Sequence, residues 1–323
     1  VTSVTVIVPA YNEGSMFAAS LVSIAEYFSM HRAAGYDFRY LIVDDGSRDD
    51  TWSAAMGFAR WRKDVRVLRH ETNRGLGAAL RTAFQEVDSE LAVVLDADLS
   101  YSPATAMRLI ETLEHERADI ALASPYMHGG LVVNVPPMRR MLSQEANRLL
   151  SLATSGRYAT LTCMVRAYRV SALRRLQFHN DRMEAVAEML FSALRQKMLV
   201  VEVPATLQWT DERRGHMRRM KFSTLISRVL TTVMIACRYR PALWLALPGL
   251  FPGLLPLAVV ILLLFHVSGR ALAIGTAAII VVQYASLALF SGQLATFFGR
   301  RLRLRAKHQG ANTNAHRVSS RIA

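Results

Sequence analysis

Two cysteines in 323 residues, Cys163 and Cys237, are too few for a disulfide framework or a cysteine-built zinc site. That scarcity suits a reducing, cytoplasmic setting. Histidine is almost as uninformative: His70, His115, His128 and His179 stand in no ligand or nucleophile spacing and read as surface or core residues. Acidic residues stop altogether at Glu212. All 25 Asp and Glu lie in residues 1–212, whereas residues 213–323 carry 16 of the 39 Lys and Arg, so the net charge of +14 is −2 from the first part and +16 from the second. Positive charge that surrounds apolar sequence, beside a nearly neutral remainder, points to anionic lipid and away from nucleic acid.

Charge itself is missing from two stretches of 29 residues, Pro241 to Gly269 and Ala271 to Gly299, separated by Arg270. About 20 apolar residues suffice to cross the hydrocarbon core, so each can span it with some tilt. Pro241, Pro248, Pro252 and Pro256 remove backbone donors from the first half of the first stretch, and its regular helix is predicted to begin near Leu257. Arg238 and Arg240 precede the hairpin, and Arg300, Arg301, Arg303, Arg305 and Lys307 follow it, so the positive-inside bias puts both ends in the cytoplasm. Gly249, Gly253, Gly275 and Gly292 would let such hairpins pack closely, which is compatible with a homo-oligomer. Residues 1–8 read as a strand, with no charged region followed by a long apolar run, so no cleavable signal peptide is predicted there. Ahead of the hairpin, Met217, Met220, Phe222, Leu225, Ile226, Val229 and Leu230 recur near helical spacing beside Arg218, Arg219, Lys221 and Arg228. That pattern predicts an amphipathic helix lying in a bilayer interface.

Within residues 1–212, short apolar runs at 5–8, 39–43, 65–68, 91–95 and 119–123 alternate with stretches of helical length near 15–28, 50–61, 77–87 and 103–116. Such βαβ alternation predicts an α/β domain with a mostly parallel central sheet and helices on both faces. Four boundaries follow: a globular domain over 1–212, an amphipathic juxtamembrane segment over 213–240, two transmembrane helices within 241–299, and a basic cytoplasmic tail over 300–323.

Polar residues collect after the predicted strands. Pro9-Ala10-Tyr11-Asn12-Glu13 follows the first, Asp44-Asp45-Gly46-Ser47 the second, Asn73-Arg74-Gly75-Leu76-Gly77 the third, and Asp96-Ala97-Asp98 the fourth. A parallel sheet would bring all four to its carboxyl edge, where open α/β sheets bind ligands. Two carboxylates held there suit Mg²⁺ or Mn²⁺ carrying a diphosphate, because these ions take one or two carboxylates plus substrate phosphates. Each segment also has an ordinary explanation: Asn12 and Ser47 as helix caps, Asp45-Gly46 as a turn, Gly75 as a positive φ angle, and the acidic pair as a cap on the helix that Ser102-Pro103 opens. A Rossmann dinucleotide site is excluded, since Gly75-Leu76-Gly77-Ala78-Ala79-Leu80 follows the third strand and lacks the third glycine.

Taken in order, these four motifs resemble a family 2 glycosyltransferase with the GT-A fold. The C-terminal hairpin and Arg139-x-x-x-Ser143-x-x-x-Asn147 resemble, within it, the polyprenyl-phosphate (dolichol-phosphate) sugar synthases. The resemblance implies that Pro9, Tyr11, Glu13, Asp44 and Asp45 hold the base and ribose of a nucleotide sugar, with Asn73 and Gly75 on the same donor side. It implies that Asp96 and Asp98 meet the metal and the donor diphosphate, and that Arg139, Arg166 and Arg218 grip phosphate. Two positions depart from the family pattern. Ser124-Pro125-Tyr126 lacks the arginine of Ser-Arg-Tyr, and Met217 replaces the serine of Gly-x-Ser-Lys; Arg140, Arg213 or Arg214 are the candidates to compensate.

The implied activity is inverting transfer of one sugar from a GDP- or UDP-linked donor to a polyprenyl phosphate, by a protein integral to a bacterial-type plasma membrane and serving the cell envelope. A lipid phosphate is already ionised at neutral pH and needs no strong base. A hydroxyl acceptor would need one, and Glu184 or Glu188 would be its candidates. Other readings are a transferase acting on a hydroxyl of a lipid-linked or cell-envelope glycan, and a non-catalytic GT-A membrane scaffold, against which the intact acidic pair argues. A processive polysaccharide synthase is disfavoured by the absence of Gln-x-x-Arg-Trp, Gln208-Trp209 being the nearest match.

Overall fold

The computed structural model describes residues 1–209 without a break and, beyond them, residues 231, 234–239, 275, 277–292, 294, 295 and 299. The predicted juxtamembrane segment, the first predicted span, most of the inter-span turn and the basic tail lie largely outside the described residues. Two compact units divide the chain, residues 1–147 with 159–232, and residues 148–158 with 233–323.

The first unit begins with β1 (Thr2–Ala10), α1 (Phe17–Ser29), β2 (Tyr36–Asp44), α2 (Thr51–Ala59), β3 (Val65–Arg69), α3 (Leu76–Gln85) and β4 (Leu91–Val94). It continues with α4 (Pro103–His115), β5 (Ile120–Ser124), β6 (Leu131–Val133) and α5 (Pro137–Ala153), whose last turns belong to the second unit. Then come β7 (Arg166–Arg169), the single turn α6 (Val170–Leu173), α7 (Ala185–Arg195), β8 (Val200–Pro204) and β9 (Thr206–Gln208). Seven strands form one sheet in the order β3-β2-β1-β4-β7-β5-β8, and β6 pairs with β9 in a separate ribbon. Every neighbouring pair in the large sheet is parallel except those made by β7, which runs against both β4 and β5.

The sequence explains the layering. Strand side chains alternate between faces, and Val4, Val6, Val8 and Ala10 of β1 join a core with Phe17, Leu21, Ile24 and Phe28 of α1 and Leu109, Ile110 and Leu113 of α4. The other face is covered by α3, which packs on β1 and β2 and against α7. Buried on both sides, β4 and β5 are continuous apolar runs, as parallel strands of this kind must be. Each fully buried Leu or Phe in such a core contributes roughly 2–3 kcal/mol. Order β2-β1-β4 means that the chain reverses its winding direction at β1, so a crevice opens at the carboxyl ends of β1 and β4. The antiparallel β7 was not foreseen. Its run Arg166-Ala167-Tyr168-Arg169 offers no apolar stretch, because Arg166 and Tyr168 are buried through their hydrogen bonds and rings.

In the second unit, residues 277–292 are helical with an inverted exposure pattern. Val281, Val282 and Tyr284 are 66%, 56% and 70% exposed, while Gln283 and Ser286 are buried. The Ser286 hydroxyl donates to the Val282 carbonyl of its own helix at 2.7 Å. No helix among the described residues is long and apolar enough to cross a membrane.

Candidate active site

Strand register sets the first row of the site. Asp44, the last residue of β2, stands opposite Ala10 of β1 and Arg69 of β3. Its carboxylate is fully buried; Oδ1 accepts the Ser47 N–H at 3.0 Å, and Oδ2 lies 3.1 Å from Arg69 Nε. That second approach is coulombic and is not a well-directed hydrogen bond, since Oδ2 has no such bond among the described residues. Arg69 also lies over the Trp52 ring at 4.9 Å and donates to the Ser47 carbonyl, so one guanidinium ties the strand end to the next loop.

The turns after β1 and β2 are laced together. Asn12 sits at φ 53°, its N–H donating to Ser47 Oγ at 3.0 Å and its Oδ1 accepting from the Arg48 N–H at 2.9 Å. Glu13 N–H donates to Thr51 Oγ1, and Gly14 N–H to Asp49. Asn12 and Ser47 therefore join two loops instead of capping helices. Tyr11 is 42% exposed on this edge, while Pro9 is buried within β1 opposite Val43.

Asp45 organises the third loop. Its Oδ1 accepts the Arg74 N–H at 3.0 Å and its Oδ2 the Gly75 N–H at 2.7 Å, and His70 Nδ1 lies 2.6 Å from Oδ1. A carboxylate can only accept here, so Nδ1 donates, and Nε2 lies 2.9 Å from the Thr82 hydroxyl. Gly75 holds φ 99°, outside the range of ordinary side chains, and Asn73 is exposed at the loop tip. Gly77 is required for a different reason: a Cβ there would strike the Asn180 carbonyl oxygen and lie 2.7 Å from Ala185 Cβ. The start of α3 is thus pressed against the segment leading into α7.

Beyond β4 the chain turns sharply. Leu95 N–H still donates to Ile7 of β1 at 2.9 Å, which keeps Asp96 and Asp98 at the switch point of the sheet. Ser100 joins the pair: its N–H donates to Asp98 Oδ1 at 3.0 Å and its hydroxyl to Asp96 Oδ2 at 2.9 Å. Between them Leu99 adopts φ 54°, a left-handed conformation that is costly for a branched side chain and concentrates at functional loops. The next helix needs neither aspartate, because Ser102 Oγ accepts from the Thr105 N–H and caps α4 with Pro103 at its start. Under this loop Tyr101 and Cys163 share a hydrogen bond and both feel the Asp96 charge. Burial pushes the Cys163 thiol up to about 11 and raises the Tyr101 phenol as well.

The chemistry of the acidic pair fits a hard divalent cation. Both carboxylates are partly exposed at the crevice. No group of three or more His, Cys, Asp or Glu side chains placed to hold a metal ion gathers among the described residues.

Residues 5–177, more than half of the chain, match the family described as Glycosyl transferase family 2. The chain belongs to glycosyl transferase family 2. It is 34% identical over 145 residues to a dolichol-phosphate mannosyltransferase of Pyrococcus furiosus, a match covering 44% of this chain but 39% of that protein. It is 31% identical over 211 residues to an undecaprenyl-phosphate mannosyltransferase of Micrococcus luteus, covering 63% of this chain and 82% of the relative. Among solved structures, a glucosyl-3-phosphoglycerate synthase of Mycobacterium tuberculosis in complex with UDP shares the fold at 17% identity and TM-score 0.55, over 74% of this chain and 80% of that one.

On this glycosyltransferase the predicted arginines have different fates. Arg139, in the first turn of α5, lies 5.8 Å from the Trp209 ring at the end of β9. Asn147, two turns on, is buried: its amide donates to Ser143 and Thr162, and its oxygen accepts the Leu161 N–H at 2.7 Å. Tyr126, in the position after Pro125, takes a hydrogen bond with Ser143 and feels Arg140. Arg166, also predicted to grip phosphate, is 1% exposed; Nη1 donates to the Val186 carbonyl at 2.8 Å and Nη2 to the Leu161 carbonyl at 2.9 Å, so it braces β7 against α7. Arg213, Arg214 and Arg218 lie outside the described residues.

Two residues that organise the candidate site were missed. His70 was read as an ordinary histidine, and only its place at the end of β3, one residue beyond the strand and level with the Asp45 turn, could have marked it. Ser100 had a local signal, since a serine two residues after an aspartate is the spacing of a side-chain-closed turn.

Proposed function

We propose that this glycosyltransferase moves one sugar from a nucleotide donor to a polyprenyl phosphate at the inner face of a membrane, with inversion at the anomeric carbon. The observation that carries the reading is the Asp96–Ser100–Asp98 cluster at the sheet's switch point, beside loops organised by Asp44 and Asp45. Sequence likeness to proteins named for dolichol and undecaprenyl phosphate supports a lipid phosphate acceptor.

The loops after β1, β2 and β3 form the donor side, where Tyr11, Glu13 and the exposed Asn73 loop face the nucleotide and the buried aspartates fix their geometry. Asp96 and Asp98 would hold Mg²⁺ or Mn²⁺, which when bound supplies positive charge to offset the negative charge developing on the departing diphosphate. Arg139 on its tryptophan platform is the candidate to orient the acceptor phosphate. That nucleophile arrives ionised, so no residue has to remove its proton.

Membrane anchoring is part of the same proposal. The charge of +16 in residues 213–323 and the two uncharged stretches supply the sequence argument. The helix at 277–292, with valines and a tyrosine outward and Gln283 and Ser286 inward, has the polarity of a helix whose surroundings are lipid. Membranes containing the full chain, incubated with labelled UDP-glucose, UDP-N-acetylglucosamine and GDP-mannose, should yield label extractable into organic solvent with at least one donor. Label confined to the aqueous phase with every donor would refute the acceptor.

A further inference from the structure

Two glutamates one turn apart lead α7, and the fold uses them differently. Glu188 is engaged: its Oε2 accepts the His179 N–H at 3.1 Å and the Asn180 N–H at 2.9 Å, holding the 179–180 loop in place. Glu184 has no such role. It is 7% exposed, and its Oε2 has no hydrogen-bond partner among the described residues. A buried carboxylate oxygen without a donor is costly, and its retention calls for a partner that arrives with the ligand.

Its place in the fold says which ligand group that is. Ala185, the next residue, abuts Gly77 at the start of α3, and Gly75 two residues earlier is fastened to Asp45 on the nucleotide side. Val186 accepts from Arg166, which pairs with Val94 at the end of β4, two residues before Asp96. Glu184 therefore adjoins two residues, one packed on the start of α3 beside the nucleotide loop and one bonded to the strand that pairs with the end of β4. Both the donor diphosphate and an acceptor phosphate are anions that a carboxylate repels. The neutral donors a nucleotide sugar brings between them are the hydroxyls of the hexose.

We propose that Glu184 is the sugar-recognition residue of this transferase, its buried carboxylate accepting hydrogen bonds from hexose hydroxyls of the donor. The inference rests on the nucleotide-sugar reading above and adds a determinant of which sugar is taken. A site built to accept from a hydroxyl discriminates strongly against analogues that lack it, because its own polar atom is then left unpaired.

The test uses the full-length chain in membranes and its Glu184→Gln and Glu184→Ala variants. Affinities for UDP-glucose, UDP-N-acetylglucosamine and GDP-mannose are measured against those for UDP and GDP alone, and transfer rates are measured for the best donor and its single-position deoxy analogues. Glu184→Ala should weaken binding of the best nucleotide sugar by about 10- to 100-fold while leaving the bare nucleotide within about twofold, and should no longer distinguish one deoxy analogue from the parent. Glu184→Gln, which retains a carbonyl acceptor, should recover part of that loss. Unchanged sugar selectivity in both variants overturns the proposal. So does a glutamine variant as inactive as alanine with donor affinity intact, which would make Glu184 a proton acceptor for a hydroxyl nucleophile. A fall in melting temperature with selectivity intact also overturns it, by pointing to a structural ion pair. The binding comparison needs no acceptor, so an incorrect choice of lipid phosphate would show separately, as sugar-dependent binding without lipid-linked product.

Discussion

His70 Nδ1 and Asp45 Oδ1 meet at 2.6 Å, with both side chains almost sealed from solvent. Asp45 is thereby saturated: imidazole and the Arg74 N–H on one oxygen, the Gly75 N–H on the other. Hydrogen bonds to a buried charge contribute about 1.5–3 kcal/mol each, so the imidazole fixes a carboxylate that in turn fixes the loop on the donor side. His70→Phe keeps the ring and removes the donor. It should raise the KM for nucleotide sugar by about tenfold or more, leave kcat within about twofold, and lower the melting temperature by several degrees. An unchanged donor KM in steady-state kinetics would show that the loop holds its shape without the histidine.

Asp98 and Asp96 are prepared for a cation by Ser100, which donates to both. Asp98→Ala should abolish sugar transfer, a loss of at least about 10³-fold, with the thermal transition shifted by no more than a degree or two because the residue is partly exposed and α4 has its own cap. Ser100→Ala leaves the carboxylates in place but less fixed. Its activity should fall by about tenfold and recover in part when Mn²⁺ is raised. Full activity in the Asp98 variant would remove the metal from the proposal.

The sheet was legible because its signals are local. Runs such as Leu91-Ala92-Val93-Val94 can be nothing but buried strands once helices flank them, and the four polar motifs sit at strand ends, where the observed order β3-β2-β1-β4 gathers them. What could not be read depends on pairing across long separations. Arg166 has the composition of a phosphate ligand, yet its partners are carbonyls 5 and 20 residues away, which no local pattern encodes. His70 likewise acquires its role from Asp45, 25 residues earlier. Glu184 and Glu188 look equivalent on a helical wheel, and only the loop that folds back over α7 separates them.

Arg139 is held by an aromatic face and the first turn of a helix, an arrangement that orients a guanidinium. Arg139→Ala should raise the apparent KM for polyprenyl phosphate by about tenfold or more and leave the KM for nucleotide sugar within about twofold. Arg139→Lys should restore little, since a point charge replaces neither the stack nor the fork. Measured with separately varied donor and acceptor in detergent, a change confined to the donor KM would place this arginine on the nucleotide.

Cys163 offers a prediction in pH. Burial lifts its thiol from the ordinary value of 9.0 to about 11, with the Asp96 charge adding to the rise and Tyr101 and Arg166 opposing it. The folded state therefore keeps a proton that the unfolded chain begins to lose near pH 9. Stability from this residue is complete below that value and declines between about pH 9 and pH 11, by about 1.4 kcal/mol per pH unit at the steepest and about 2–3 kcal/mol in all. Tyrosines whose phenols burial also raises, Tyr40, Tyr101 and Tyr168 among them, add to the slope over the same range, so the cysteine's share is read as the difference between two variants. Denaturant unfolding of a Cys237→Ser variant should show that slope, and additional replacement Cys163→Ala should flatten it. In the same background the remaining thiol at pH 8 is about one part in a thousand thiolate, so alkylation should be at least about 100-fold slower than for a free cysteine. Rapid labelling in the native state would mean that the floor beneath Asp96 opens to solvent.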